Sequence, residues 1–296
     1  MSKWKGQSKG NATGYKIFVF LIDKLGLGFA YFILHFVAFY FFLFSKKEKS
    51  YIKWYFLNIQ GFSPQKSLKY VYKSFYSMGV TLLDKITFFS GAKVKFTFDY
   101  DGEEHMHQLA AKNTGAIIVG AHIGNWEVAG QLMERIDVKV NIVMKLNENE
   151  AIKEVIENSM VLKKMNIINI TDELSYLIEI KKALDNNEFV ILHGDRFVDD
   201  SNIIEMDFMG KKADFPMGPF ILALKFRKPI LFAFAMKESR NHYHFYSTAP
   251  IYNEKRTDPK DLKIATQKLI KKYIQNLEPM LLKYPEQWYN YYKFWN

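Results

Sequence analysis

The chain has no cysteine, which excludes disulfide scaffolds, cysteine-ligated zinc, iron–sulfur clusters and a cysteine nucleophile together. Proline is scarce, at 8 of 296 residues, and no internal repeat or low-complexity tract is present. Fibrous and array architectures are therefore out. Acidic residues are also in deficit: 31 Asp and Glu face 41 Lys and Arg, a net charge of +10. That balance favours an anionic partner, whether nucleic acid, anionic lipid headgroups or an acidic carrier protein. What the chain does have is hydrophobic residues at 49% and aromatics at 17%, enough to bury a large core in one α/β domain or two small ones.

Charge is missing altogether from residues 25–45, LGLGFAYFILHFVAFYFFLFS. As a helix this run would reach about 31 Å, roughly one hydrocarbon core. Lys46, Lys47, Lys49 and Lys53 follow it at once, and aromatics beside lysines are anchoring chemistry at an anionic lipid surface. No small-residue cleavage site precedes the lysines, so a signal peptide does not fit. Residues 1–49 are expected to form a membrane-anchoring segment, spanning or lying in the interface, and residues 50–296 the catalytic domain.

From Ser50 to Gly91 the pattern is helical. Beyond it, strands and helices alternate. Strands are expected at Lys93–Asp99, Ala116–Ala121, Val138–Val143, Ile167–Ile170, Phe189–Leu192 and Ile230–Ala235, with His242–Thr248 as an edge strand. Helices are expected near Asn125–Arg135, Glu150–Lys164, Asp172–Asp185 and Pro216–Phe226, with Asp258–Tyr284 as a long closing helix. Short continuous apolar strands separated by helices predict an α/β fold with a mostly parallel central sheet flanked by helices.

In such sheets ligands bind beyond the carboxyl ends of the strands. Two of these ends carry reactive groups: Gly120-Ala121-His122-Ile123-Gly124-Asn125-Trp126-Glu127 after AIIVG, and His193-Gly194-Asp195-Arg196 after FVIL. His122 falls on a strand-to-helix turn, and Glu127 follows about one and a half helical turns later. A carboxylate there can fix the imidazole tautomer and stabilise the imidazolium formed in base catalysis. Asp195-Arg196 reads equally as an ion pair closing a strand end or as a substrate-binding pair.

The HIGNWE segment, His-x4-Glu at a strand end, resembles the lead motif of the bacterial lipid A biosynthesis (lauroyl/myristoyl) acyltransferases, within the broader His-x4-Asp/Glu glycerolipid acyltransferase group. Further matches occur in order: the N-terminal hydrophobic helix, Asp195-Arg196, Phe208-Met209-Gly210, Pro216-Met217-Gly218, Lys228-Pro229-Ile230 and Tyr284-Pro285-Glu286-Gln287-Trp288. Where the family commonly carries an arginine after the third strand, this chain has Lys145.

The resemblance implies acyl transfer from a thioester, on acyl carrier protein or CoA, to a hydroxyl or amine of an amphipathic, lipid A precursor-like acceptor. His122 is then the general base and Glu127 its support. Gly124 and Asn125 offer backbone oxyanion donors, Lys145 or Arg196 charged ones, and Asp195 and Arg196 the acceptor contacts. Lys211, Lys212, Lys225, Arg227 and Lys228 form a candidate face for the carrier protein. The expected location is the cytoplasmic side of the inner membrane, with no cofactor and no metal. Two other classes are weighed. A metal-dependent hydrolase could use His105-x-His107, His242-x-His244, His193 and Asp195. A basic, aromatic nucleic-acid or membrane binding module is the non-enzymatic alternative, but many aromatics lie in the apolar run, where bases cannot reach.

Overall fold

The structure is a computed structural model that describes residues 12–89, 94–126, 135–144, 165–170, 175–197, 202–253 and 256–296. Four helices come first: α1 (Ala12–Leu25), α2 (Leu27–Phe44), α3 (Lys46–Asn58) and α4 (Pro64–Phe89). The uncharged run does not fold as one helix with what precedes it. Gly26 adopts φ +80 between α1 and α2, a left-handed conformation that glycine takes at little cost. Leu27, Ala30, Tyr31, Leu34 and Ala38 of α2 are buried, and the close approach to α4 needs Gly79. A Cβ there would lie 2.4 Å from Leu34 Cδ1.

The rest of the chain holds β1 (Thr97–Asp101), α5 (Glu103–Lys112), β2 (Ala116–Gly120), β3 (Val140–Met144), β4 (Met165–Asn169), α6 (Ser175–Asp185) and β5 (Phe189–His193). There follow a hairpin of β6 (Ile203–Phe208) and β7 (Lys211–Pro216), α7 (Gly218–Phe226), β8 (Ile230–Ser239), β9 (His242–Ser247) and α8 (Leu262–Lys283). A 3-10 turn, Pro285–Gln287, leads into the C-terminal segment.

Seven strands form one sheet in the order β1-β9-β8-β2-β5-β3-β4. The five strands β8, β2, β5, β3 and β4 run parallel; β9 is antiparallel to β8, and β1 is parallel to β9. The fold is thus α/β with a mostly parallel sheet. The period-two alternation of β2 sends Ala116 and Ile118 to the α5 side, with Met106, Leu109 and Phe189. Ile117 and Val119 go to the opposite side, with Phe220, Ile270 and Tyr273. Both faces are covered, which is why these strands read as unbroken apolar runs.

Two expectations are revised, and a hairpin appears that no sequence signal marks. The His242–Thr248 strand is internal, because β1 pairs along its outer side. The first strand begins at Thr97, four residues later than its alternation suggested. The β6–β7 hairpin turns through Met209 and Gly210, both with positive φ; a methionine in that conformation gives no turn signal. The helices expected near Asn125–Arg135 and Glu150–Lys164 lie largely or wholly outside the described residues.

A buried polar cluster ties α2 and α4 to the sheet. The Asp84 carboxylate is fully buried and accepts hydrogen bonds from the hydroxyls of Tyr31 and Tyr243 and, at 2.5 Å, from Lys237 Nζ. Burial pushes the Asp84 pKa up and that of Lys237 down, while their attraction opposes both shifts. Removing the cation alone strands the carboxylate. We expect Lys237→Met to cost about 3–5 kcal/mol of unfolding free energy, measured by urea unfolding in mild detergent. A loss below about 1 kcal/mol would show that the ion pair does not hold these elements together.

Candidate active site

β2 ends at Gly120, and the turn after it is stitched down by its own backbone. Gly124 N–H donates to Gln287 O at 3.0 Å, Asn125 N–H to Ala235 O at 2.7 Å, and Tyr289 N–H to His122 O at 3.0 Å. Gly124 has φ +60, and a Cβ there would sit 2.0 Å from Ala235 O, so only glycine lets the turn press this close to β8. The two N–H groups expected to receive an oxyanion are therefore already engaged. The Asn125 side chain is fully buried and donates to Tyr243 Oη at 3.0 Å. Gly124 and Asn125 shape the turn from within.

β5 lies beside β2 in parallel register, Gly120 opposite His193, so the two reactive strand ends are neighbours. Asp195, fully buried, holds His122 twice. One carboxylate oxygen is 2.9 Å from His122 Nδ1, and the other accepts the His122 backbone N–H, also at 2.9 Å. Asn290 Nδ2 donates to that second oxygen at 2.7 Å. Burial opposes ionisation of Asp195, but His122 and its hydrogen bond, with Arg196 beyond, outweigh it and hold the carboxyl well below the usual range. An ionised Asp195 assigns the ring proton to Nδ1 and makes Nε2 the basic nitrogen.

Arg196 donates from Nε to Asn290 Oδ1 at 2.6 Å and from Nη2 to Tyr289 O at 2.8 Å. Both bonds clamp the C-terminal segment under Asp195. The Asp195 carboxylate faces His122 and Asn290, with the charge of Arg196 nearby. The His193 ring stands 4.3 Å from that of His122, centroid to centroid, and Trp126 stands 5.1 Å from it on another side. An apolar cavity opens here, lined by Trp126 and His193 and continuing past Ile118, Ile191, Ala233 and Phe245 along the α5 face of the sheet.

A buried carboxylate orients an imidazole whose ring neighbours, Trp126 and His193, line an apolar cavity, an arrangement suited to proton abstraction. The profile of the bacterial lipid A biosynthesis acyltransferases matches residues 11–295. The chain belongs to this family. A solved structure, the 1-acyl-sn-glycerophosphate acyltransferase of Thermotoga maritima, aligns at 11% identity with a TM-score of 0.38, covering 84% of this chain and 97% of that one. A likeness that slight adds nothing further. No curated protein matches.

Family membership makes the protein an acyltransferase of lipid biosynthesis. With α2, the described helix long and apolar enough to cross a bilayer, it also marks the acyltransferase as membrane-associated. Glu127 and Lys145, both expected at the site, lie outside the described residues. His242 and His244 on β9 pair with Asp99 and Asp101 on β1, each at 3.3 Å. His105 and His107 lie beside Glu104 and Glu103 on α5. Among the described residues no three His, Asp or Glu side chains converge as a metal-binding set. Of the basic residues expected to receive a carrier protein, Lys212 pairs with Asp207 at 2.7 Å and Lys228 donates to the Thr114 carbonyl.

Sequence reasoning passed over Asn290 and Tyr289. They sit in WYNYY, which has no chemical signature, 95 residues from Asp195 in the case of Asn290. The pairing of Asp195 with His122 did carry a signal, since adjacent parallel strands bring their carboxyl ends together.

Proposed function

We propose that the acyltransferase moves a fatty acyl chain from a thioester, on acyl carrier protein or CoA, to a hydroxyl or amine of an amphipathic lipid, with a lipid A precursor as the type acceptor. His122 Nε2 takes the proton from the acceptor as its oxygen or nitrogen attacks the thioester carbonyl carbon. The carbonyl π electrons move to oxygen, and Asp195 stabilises the imidazolium through Nδ1–H. Collapse of the tetrahedral intermediate breaks the C–S bond, and the departing thiolate takes the proton back from His122. No covalent acyl-enzyme forms. Glu127, the acidic member of the motif, shares the support of His122 with Asp195, and Lys145 adds positive charge for an anionic acceptor. The observation that carries this reading is the double hydrogen bond from Asp195 to the ring and backbone of His122 beside an apolar cavity.

The membrane contact follows from α2. Phe29, Phe32, Phe36, Phe39, Tyr40 and Leu43 are exposed at three- and four-residue spacing along the whole helix, while the opposite face packs on α4 next to the buried charge of Asp84. A helix committed on one side to a polar protein and bare on the other lies in the interface plane, its aromatic stripe in the acyl region. Lys49 Nζ sits 4.0 Å over the Phe42 ring, and exposed Lys46, Lys47 and Lys53 stand at the same end, placed for anionic headgroups. The catalytic domain then faces the cytoplasmic leaflet of the inner membrane.

Lipid mass spectrometry of cells with and without the gene tests the reading. A lipid lacking one acyl chain in the deletion strain, restored by the wild-type gene and not by His122→Ala, is the expected result. An unchanged lipid profile would overturn it.

A further inference from the structure

We propose that His193 is a second catalytic imidazole of this enzyme, whose ring N–H donates a hydrogen bond to the thioester carbonyl oxygen as it becomes an oxyanion. The inference rests on acyl transfer through His122 and supplies an oxyanion donor for that step. The tetrahedral intermediate needs hydrogen-bond donors at about 2.7–3.1 Å from its oxygen. The backbone N–H groups of Gly124 and Asn125 are bonded to Gln287 O and Ala235 O, and Arg196 is turned toward the C-terminal segment.

His193 stands where a donor is wanted. Its place at the last residue of β5, opposite Gly120, brings its ring to 4.3 Å from that of His122 in an edge-on arrangement, with Trp126 at 5.7 Å. The ring lines the apolar cavity together with Gly120 and Trp126. Gly120 faces the ring: a Cβ there would lie in ordinary contact, 3.4 Å from His193 Cδ2 and 3.8 Å from Nε2. No described residue hydrogen-bonds the ring, whose neighbours are aromatic faces and apolar strand residues. His122 is hydrogen-bonded to the ionised Asp195; among the described residues His193 has no such bonded partner.

The chemistry of the two imidazoles is accordingly different. Burial first, and the adjacent His122 second, hold the His193 pKa down to about 3. Near neutral pH the ring is uncharged, with one N–H and one lone pair. It does not compete with His122 for the acceptor proton. It offers a donor beside a largely apolar cavity, where one hydrogen bond to a forming oxyanion weighs most. When the C–S bond breaks, the carbonyl reforms and the bond to His193 relaxes; no proton is transferred through this ring.

The test is steady-state thiol release from dodecanoyl-acyl carrier protein and dodecanoyl-CoA, with vesicles of phosphatidylethanolamine and phosphatidylglycerol, by the full-length protein. His193→Phe keeps an aromatic ring without a donor. We expect its kcat to fall about 100-fold or more, with KM for the thioester within about threefold of wild type. His193→Gln restores an N–H near the same place and should recover at least a tenth of the wild-type kcat, with the acid limb of the pH–rate profile unmoved. Should His193→Phe fail to fold, His193→Met serves as the donor-free variant. A wild-type kcat in the donor-free variant, or a glutamine variant as slow as the phenylalanine one, would overturn the proposal while leaving the role of His122 intact. Full activity of His122→Ala in the same assay would instead remove the base assignment, and this inference with it.

Discussion

Asp195→Asn is expected to lower kcat about 10³–10⁴-fold while leaving the fold and lipid binding in place. The substitution preserves shape and the bond that Asp195 accepts from the His122 backbone N–H. It removes the charge facing Nδ1, so the imidazolium loses its stabiliser and the ring is free to adopt the wrong tautomer. In the serine hydrolase triad, where an aspartate plays this part, that change costs about 10⁴ in kcat. The pH behaviour has a definite sign. The Asp195 carboxyl is held below its ordinary pKa of about 4, so between pH 8 and 5 it stays ionised. A fall in rate over that range reports another group. A second carboxylate at Glu127 would soften the effect, and Glu127→Gln alone and combined with Asp195→Asn measures the two shares. A drop of less than tenfold in the double variant would mean that no carboxylate supports the base.

The second large effect concerns the bilayer. Replacing Phe32, Phe36 and Phe39 together by Ser removes the centre of the exposed α2 stripe, where Phe36 alone is 62% exposed. Burying each ring in lipid is worth at least about 1.5 kcal/mol, so the three contribute about 4.5 kcal/mol, a loss of about 10³ in partitioning. Sedimentation with vesicles containing phosphatidylglycerol should change from nearly complete to slight. Because none of these rings belongs to the face packed on α4, unfolding by urea should be little altered. Equal pelleting of the variant and the wild type would show that another surface holds the membrane.

The sequence makes the sheet legible wherever both faces are covered. Ala116–Gly120, Phe189–Leu192 and Ile230–Ala235 are apolar without a break because helices lie on either side. The turn at His122 is legible too, since a histidine between glycines after such a strand has little structural reason to be there. What stays hidden depends on distant pairing. Asp195 reaches His122 across 73 residues, and only the neighbouring positions of β2 and β5 relate them. Asn290 and Tyr289 act through a C-terminal segment that crosses beneath the site, a path no local pattern encodes. The break at Gly26 is likewise invisible in hydropathy, because apolar residues lie on both sides of it.

Most direct of all is the transfer rate of His122→Ala from a dodecanoyl thioester to a lipid acceptor, set against the wild type. We predict a loss of at least about 10³-fold, with unchanged vesicle binding and unfolding. A variant that still transfers acyl chains within tenfold of the wild-type rate would contradict general-base catalysis by this imidazole.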